Sequence, residues 1–441
     1  MNKDDLQYLF LFYISIVAGY IDRKIEKRKH KQVYGATVGV IFAYVLCGQE
    51  IVYPLLNILV NTSIIINGEK KKCHLQSFIF TFSFLYISRI YSLSSFTNIL
   101  LMSTTLRMVG VACEVNSDYL KDTEEEVKTQ QPKKLDKITF SDIALYGMNY
   151  IGLLGAPYYT YSVFEDYLNL PFRRYHDWKN LCFYKLICST AIMSLYVIVE
   201  NLWPLSYVAT EEFHSTKTIL YRIWYVYPTA YSFIFRVWNA FVLFDCCCCM
   251  TGLGVYPRFT KPKCGYGPTV RIDEMISLKN EDDLKKQIYS FSTIKNVNIM
   301  MFHTTLGFGE AIKQWNTTIQ YWLYTFIYKK VHIEFLKKPA TMFVSSYWHG
   351  LHFGYFASLF FSTVILFVDK RWQLLLDGKK SFNIQLLMQM AKFHLLYNCT
   401  ISFLLKERDI ILQYQKSTYY NSMIIFIFFS VLLIIVKRRK V

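Results

Sequence analysis

Charge is what this sequence has least of. Only 18% of its 441 residues are Asp, Glu, Lys or Arg, where a soluble chain carries about a quarter. Carboxylates are the scarcer kind, 32 against 49 Lys and Arg. No polar stretch is long enough to build a soluble domain, although the length would allow more than one. The short motifs of familiar soluble enzymes are missing too. There is no H-E-x-x-H to hold zinc and no G-x-S-x-G nucleophile elbow, and the G-F-G at 307–309 lacks the lysine and preceding strand of a phosphate loop. The eleven cysteines form no paired framework. Cys246-Cys247-Cys248-Cys249 contains a formal C-x-x-C, but no second pair follows at zinc-like spacing. Beside an apolar segment the run reads as small-residue packing or a palmitoylation site, and no metal is expected.

What is present is hydrocarbon. Hydrophobic residues make up 53% of the chain and mean hydropathy is +0.21. Apolar runs fall near 6–22, 33–48, 50–66, 76–92, 97–113, 141–164, 182–208, 217–256, 341–368, 385–405 and 421–436. Pro228 is expected to split the longest of these, because proline breaks the helical hydrogen-bond ladder. The first three are short for a bilayer, which suggests tilted or re-entrant segments. The pattern predicts an all-α polytopic membrane protein: one integral membrane domain over 1–441, with about 10–12 transmembrane or re-entrant helices around an internal cavity. Residues 8–21 have no small-residue cleavage site after them and read as a retained first helix. Polar loops are expected at 115–138 and 257–300, and a basic tail at 437–441.

The net charge of +17 would raise the question of nucleic acid in a soluble protein. Here the cations gather beside apolar runs, as Arg23, Lys24, Lys27, Arg28, Lys29 and Lys31, and again as Lys437, Arg438, Arg439 and Lys440. That is the positive-inside pattern, and it puts both clusters in the cytosol next to anionic lipid rather than nucleic acid.

Against this background a few polar residues need explaining. The stretch SSYWHGLHFGYF, 345–356, sets His349 and His352 inside an apolar run that meets no carboxylate until Asp369. An ionisable group at membrane depth is costly and marks function by default. A buried neutral imidazole is a competent proton acceptor. The i, i+3 spacing of the two histidines could serve a metal, but no nearby acid completes the sphere. A base without a protein nucleophile suits direct transfer to a hydroxyl that it deprotonates. The alternative is a packed histidine in a channel, transporter or scaffold.

Upstream, Trp315, Ile319, Trp322 and Phe326 recur at i, i+4, i+7 and i+11, with Lys329 and Lys330 behind them. This predicts an amphipathic helix at the membrane interface. Asn316-Thr317-Thr318 is also a formal glycosylation sequon. Arg107 and Glu114, seven apart, share a helical face and are expected to pair, as are Arg236 and Asp245. An arginine near a cavity could instead hold an anionic headgroup, with hydroxyls from Tyr158, Tyr159 or Tyr161.

YWHGLHFGYF resembles the W-H-G-x-x-P-G-Y stretch of the membrane-bound O-acyltransferases, in which the histidine is catalytic. Trp315-Asn316 resembles that family's second signature, an asparagine upstream of the histidine, at a separation here of 349 − 316 = 33 residues. TLRMVGVACEV (105–115), GAPYYTYSVFEDYL (155–168) and CCCCMTGLGVYP (246–257) are similar to the lysophosphatidylinositol acyltransferase branch. The resemblance implies His349 and Asn316 as catalytic residues. It implies substrate contacts from Trp315, Tyr347, Trp348, His352, Arg107, Tyr158 and Tyr159. The implied reaction moves a long-chain, polyunsaturated acyl group from acyl-CoA, as co-substrate, to the free glycerol hydroxyl of lysophosphatidylinositol. Lysophosphatidylcholine, -serine or -ethanolamine are the alternative acceptors. No cofactor or metal is implied, and the endoplasmic reticulum membrane is the expected location. Phe353 departs from the pattern, standing where the lipid-modifying members have proline, and is expected to reshape the helix locally.

Overall fold

A computed structural model describes residues 3–125, 138–155, 157–375 and 382–438. Half of the expected first polar loop, 126–137, and the end of the basic tail, 439–441, lie outside the described residues; the first part of that loop, 115–125, is not loop but the end of a long helix. Among those described, regular structure is almost entirely helical. The helices are α1 (Lys3–Lys24), α2 (Arg28–Cys47), α3 (Val52–Asn67), α4 (Cys73–Ile90), α5 (Ser95–Glu125), α6 (Phe140–Gly147), α7 (Tyr161–Asn169), α8 (Trp178–Leu202), α9 (Glu211–Thr216) and α10 (Ile219–Thr251). After strand β1 (Tyr256–Pro257) come α11 (Ile272–Ser277), α12 (Glu281–Lys286) and strand β2 (Tyr289–Ser290). Then follow α13 (Ile299–Thr304), α14 (Phe308–Lys313), α15 (Thr317–Phe326), α16 (Glu334–His349), α17 (Phe353–Leu375), α18 (Phe382–Leu405), α19 (Arg408–Ser417) and α20 (Asn421–Arg438).

Among the described residues, five helical segments are long and apolar enough to cross a membrane, or up to six if α19 and α20, bent by 68°, count as one broken span. Their faces say what surrounds them. In α5, 78% of the apolar window is buried, whereas in α8 only 17% is. Phe183, Tyr184, Ile187 and Ile198 of α8 stand exposed, and a row of large side chains like this is tolerable only against lipid. The protein is a multi-pass integral membrane protein.

The chain divides into two compact units. The first comprises Met1–Ser189, Ala240–Asn296 and Thr317–Phe326. Here α3, α4 and α6 pack on α5, and α2 packs on α1 and α6. The expected span at 141–164 is not one. A capping box of Thr139 and Asp142 starts α6, the chain then turns, and Thr160 caps α7. Two buried charges hold this irregular segment, and they do not pair with each other as expected. Arg107 donates to the carbonyls of Tyr146, Gly147 and Asn149 at 3.0, 3.1 and 2.8 Å, and to that of Ile151. Glu114 accepts from the Tyr161 and Ser162 amides at 2.8 and 3.0 Å and from Ser162 Oγ at 2.8 Å. Both charges thus satisfy backbone groups that a broken helix would leave bare.

Two more expectations are corrected in this unit. Helix α15 is no interfacial anchor, because Trp322 is fully buried and its indole donates to Leu106 O of α5 at 3.0 Å. The stretch at 257–300 is folded: β1 pairs antiparallel with β2, and Met275 and Leu284 pack with Phe172, Val255 and Tyr256. Cys246 to Cys249 are all buried, which suits packing and excludes acylation of the folded protein. Asp245 is paired with Lys185 at 3.1 Å.

The second unit comprises Thr190–Asn239, Val297–Asn316 and Ile327–Val441. Pro228 does not split α10, which runs on through it. Thr229 Oγ1 donates to Tyr225 O at 2.8 Å, the kind of side-chain bond that steadies a proline turn in a membrane helix. The apolar run at 341–368 does break, into α16 and α17, and α17 packs along α18 and α20. Phe308, Ile365, Leu395 and Cys399 form a core between these helices and α14.

Candidate active site

His349 is the last residue of α16. Gly350 N–H closes the helix on Ser346 O at 3.0 Å, and three residues later α17 begins. The break is built from its glycines. A Cβ on Gly350 would meet the Tyr355 ring at 2.7 Å, and one on Gly354 would lie 2.3 Å from Ser402 O of α18. Gly354 N–H instead donates to Lys406 O at 2.8 Å, which stitches the start of α17 to the end of α18. Phe353 is the first residue of α17, the position at which a proline loses no ladder bond and is pre-set for the helix.

The imidazole sits among rings. Its centroid lies 4.7 Å from Trp348, 6.0 Å from Tyr355 and 5.0 Å, edge-on, from Phe403 of α18. Trp348 is buried, and Tyr347 packs against Phe343 at 6.4 Å. His352 is half-exposed, its Nδ1 pairs with Glu407 at 3.2 Å, and its ring, like that of His349, packs on Tyr355, at 5.6 Å. No group of three metal-ligating side chains occurs among the described residues.

Trp315 and Asn316 belong to the same unit, but not to a helix. They form the bend between α14 and α15, so the expected four-residue face beginning at Trp315 starts only at Ile319. Asn316 is left-handed, φ 48°, a conformation asparagine accepts more readily than most residues. Its Oδ1 is buried with no hydrogen-bond partner. Trp315 packs on Phe302, Trp238 and Phe233 at 5.8, 6.3 and 6.4 Å. Phe233 in turn lies 6.5 Å from Phe403, the ring that meets His349. The Trp315–Asn316 bend and the histidine therefore stand on one continuous aromatic wall.

Three residues not foreseen fix this bend. Asp369 of α17 accepts from the Phe308 and Gly309 amides, each at 3.0 Å, and so caps α14. Lys392 of α18 is buried and donates to the carbonyls of Phe302, His303 and Thr305 at 3.4, 3.1 and 2.6 Å. Gln389 adds bonds to Thr304 and Thr305. The helices that flank His349 thus also clamp the segment leading to Asn316. The signal was in the sequence, since a lysine inside one apolar run and an aspartate at the end of another want partners.

Arg107, Tyr158 and Tyr159 come together in the first unit, in supporting positions. Both terminal nitrogens of Arg107 are committed to carbonyls, so it is not free to hold a headgroup. Tyr159 donates to Ile151 O at 2.8 Å. Tyr158 presses its hydroxyl against Gly110, where a Cβ would come within 2.2 Å.

A family model for the membrane-bound O-acyltransferase family matches residues 65–405. Among curated proteins, the chain is 27% identical over 392 residues to the membrane-bound acylglycerophosphatidylinositol O-acyltransferase frj of Drosophila melanogaster, covering 84% of this chain and 79% of that one. It is 29% identical to the Xenopus laevis protein of the same description, mboat7, over 81% of this chain and 77% of that one. To human MBOAT7 it is 27% identical, over 86% and 82%. With the model match spanning most of its length, the chain belongs to the membrane-bound O-acyltransferase family.

Proposed function

We propose that the protein transfers a long-chain acyl group from acyl-CoA to the free glycerol hydroxyl of lysophosphatidylinositol, in the endoplasmic reticulum membrane, with His349 and Asn316 as its catalytic residues. The observation that carries this is the shared aromatic wall. It joins an imidazole at a helix break to an amide with an unused buried oxygen. The headgroup is supported by the relatives, each named an acylglycerophosphatidylinositol O-acyltransferase.

The chemistry balances without a covalent enzyme intermediate. His349 takes the proton of the lipid hydroxyl while that oxygen bonds to the thioester carbonyl carbon. The tetrahedral intermediate collapses, the C–S bond breaks, and the CoA thiolate leaves and recovers the proton from the imidazolium. The partial negative charge at the C-terminus of α16 favours that transient imidazolium. Asn316 offers the other service. Its amide can turn its NH₂ to the developing oxyanion, a contribution of about 3–4 kcal/mol in comparable sites.

The test is transfer of labelled acyl chains from acyl-CoA by purified protein in nanodiscs, over lysophosphatidylinositol, -choline, -serine and -ethanolamine. Turnover favouring the inositol lipid, and at least a hundredfold lower in His349→Ala of unchanged melting temperature, is expected. Equal activity of wild type and His349→Ala would refute the assignment.

A further inference from the structure

The first unit encloses a small cavity that the acyl-transfer chemistry does not use. Asp166 and Tyr167 of α7 line it, with Arg173 from the turn that follows α7 and Gly252, Gly254 and Val255 from the turn that follows α10. All six residues are buried. The cavity measures about 10 Å³, room for one guest of about the size of a water molecule.

The groups around it are rich in donors and poor in acceptors. Arg173 is only 7% exposed, yet its buried Nη1 has no hydrogen-bond partner. The amides of Gly254 and Val255, outside any helix or strand, meet no acceptor among the described residues. The acceptors are already engaged. Asp166 Oδ2 takes the Tyr256 hydroxyl at 2.9 Å, and Asp22 takes that of Tyr167. A buried guanidinium and two buried amides without acceptors are each costly, and a native structure rarely leaves them so.

The charges lean the same way. Lys31 is 1% exposed, and its Nζ lies 3.5 Å from Asp22 and 3.7 Å over the Tyr167 ring, with no hydrogen bond. Arg23 donates to Met250 O at 3.2 Å and to Arg173 O. Three cations, Arg23, Lys31 and Arg173, thus stand against two carboxylates, Asp22 and Asp166. The turn is also shaped to come close. Gly252 and Gly254 have φ of 82° and 73°, and a Cβ on Gly252 would lie 2.5 Å from Arg173 Cβ. Successive amides in a turn with left-handed residues form the concavities that hold anions.

We propose that this cavity binds a single chloride ion, held by Arg173 Nη1 and the amides of Gly254 and Val255. Water suits the site less well, because it must place two protons as well as accept, and the neighbouring acceptors are engaged. Phosphate and sulfate are too large for the cavity. A bound chloride would balance the third cation and tie the turn after α10 to the turn after α7. The inference is independent of the acyltransferase reading, and its test needs no turnover.

The purified full-length protein is melted in sodium chloride and in sodium gluconate at equal ionic strength. The melting temperature should be higher in chloride by about 2 °C or more and should reach a plateau as chloride rises. Arg173→Met should melt alike in the two salts. Lys416→Glu, at an exposed lysine of the second unit, should keep the wild-type difference. Bromide should replace chloride in the melts, and crystals of wild type grown in bromide should show an anomalous peak beside Arg173 Nη1. Equal melting of wild type in chloride and gluconate would overturn the inference. So would a chloride effect that survives in Arg173→Met, since the salt would then act elsewhere. If Arg173→Met does not fold, the bromide crystals decide alone: no peak in the cavity overturns the assignment.

Discussion

Asn316 should be a residue the ligand-free protein is better off without. Its backbone is left-handed and its Oδ1 is buried and unpartnered. Replacing it with glycine removes an unsatisfied oxygen, a relief of about 1–3 kcal/mol, and imposes no strain at φ 48°. Against this stands the extra backbone entropy of glycine in the unfolded chain, about 0.5–1 kcal/mol. Asn316→Gly should therefore be between neutral and about 2 kcal/mol more stable than wild type. Asn316→Ala enjoys the same relief but pays about 1–2 kcal/mol for its Cβ in the left-handed region, so it should melt below the glycine variant. Activity should fall in both by about 10²–10³, the cost of losing one oxyanion donor. Thermal melts in detergent and acyl transfer at saturating substrates measure the two quantities on the same preparations. An Asn316→Gly protein that melts well below wild type would refute the reasoning, because the side chain would then be structural. So would one that keeps activity within tenfold.

Other outcomes follow from the turn and its clamp. Phe353→Pro should change neither melting temperature nor turnover appreciably, since the first position of α17 needs no N–H; a large loss of either would show that Phe353 itself contacts substrate. Gly354→Ala, with its Cβ driven to 2.3 Å from Ser402 O, should destabilise by at least about 1–3 kcal/mol and lower activity with it, as read in melts and initial rates. Asp369→Ala uncaps α14 and should cost about 2 kcal/mol in stability. Activity should fall further than that loss explains, as the bend carrying Asn316 loosens, and Asp369→Asn should recover part of both.

Much of the membrane architecture was legible because burial in lipid writes long apolar runs with little ambiguity. His349 stood out for the opposite reason, as an ionisable group where none is cheap. What misled was the assumption that each polar residue in a helix looks for another side chain. Arg107 and Glu114 have the spacing of a pair, yet each serves backbone groups in the broken segment at 146–162. A helical wheel shows only side chains on one helix, and cannot show carbonyls brought in from elsewhere in the chain. Pro228 misled similarly, because the loss of one ladder bond does not by itself end a long helix, and α10 runs on through it. The aromatic period from Trp315 to Phe326 promised an interfacial helix, but periodicity does not distinguish a face turned to lipid from one turned to α5.

The two candidate catalytic side chains share a placement that composition could not reveal. Neither stands within the body of a helix: His349 ends α16, and Asn316 occupies the bend before α15. In the interior of a membrane helix the backbone groups bond to one another, and a polar side chain there gains little support from them. At a break, amides and carbonyls come free, glycines let helices approach closely, and a side chain can be aimed along directions a helix face does not offer. Such breaks are unstable unless tied down. Here Gly354 is bonded to Lys406, Asp369 caps α14, and Lys392 gathers the carbonyls at the end of α13. All three ties involve α17 or α18, the helices on either side of the histidine. Asp369, just past one apolar run, and Lys392, inside another, help hold the two interruptions in one geometry.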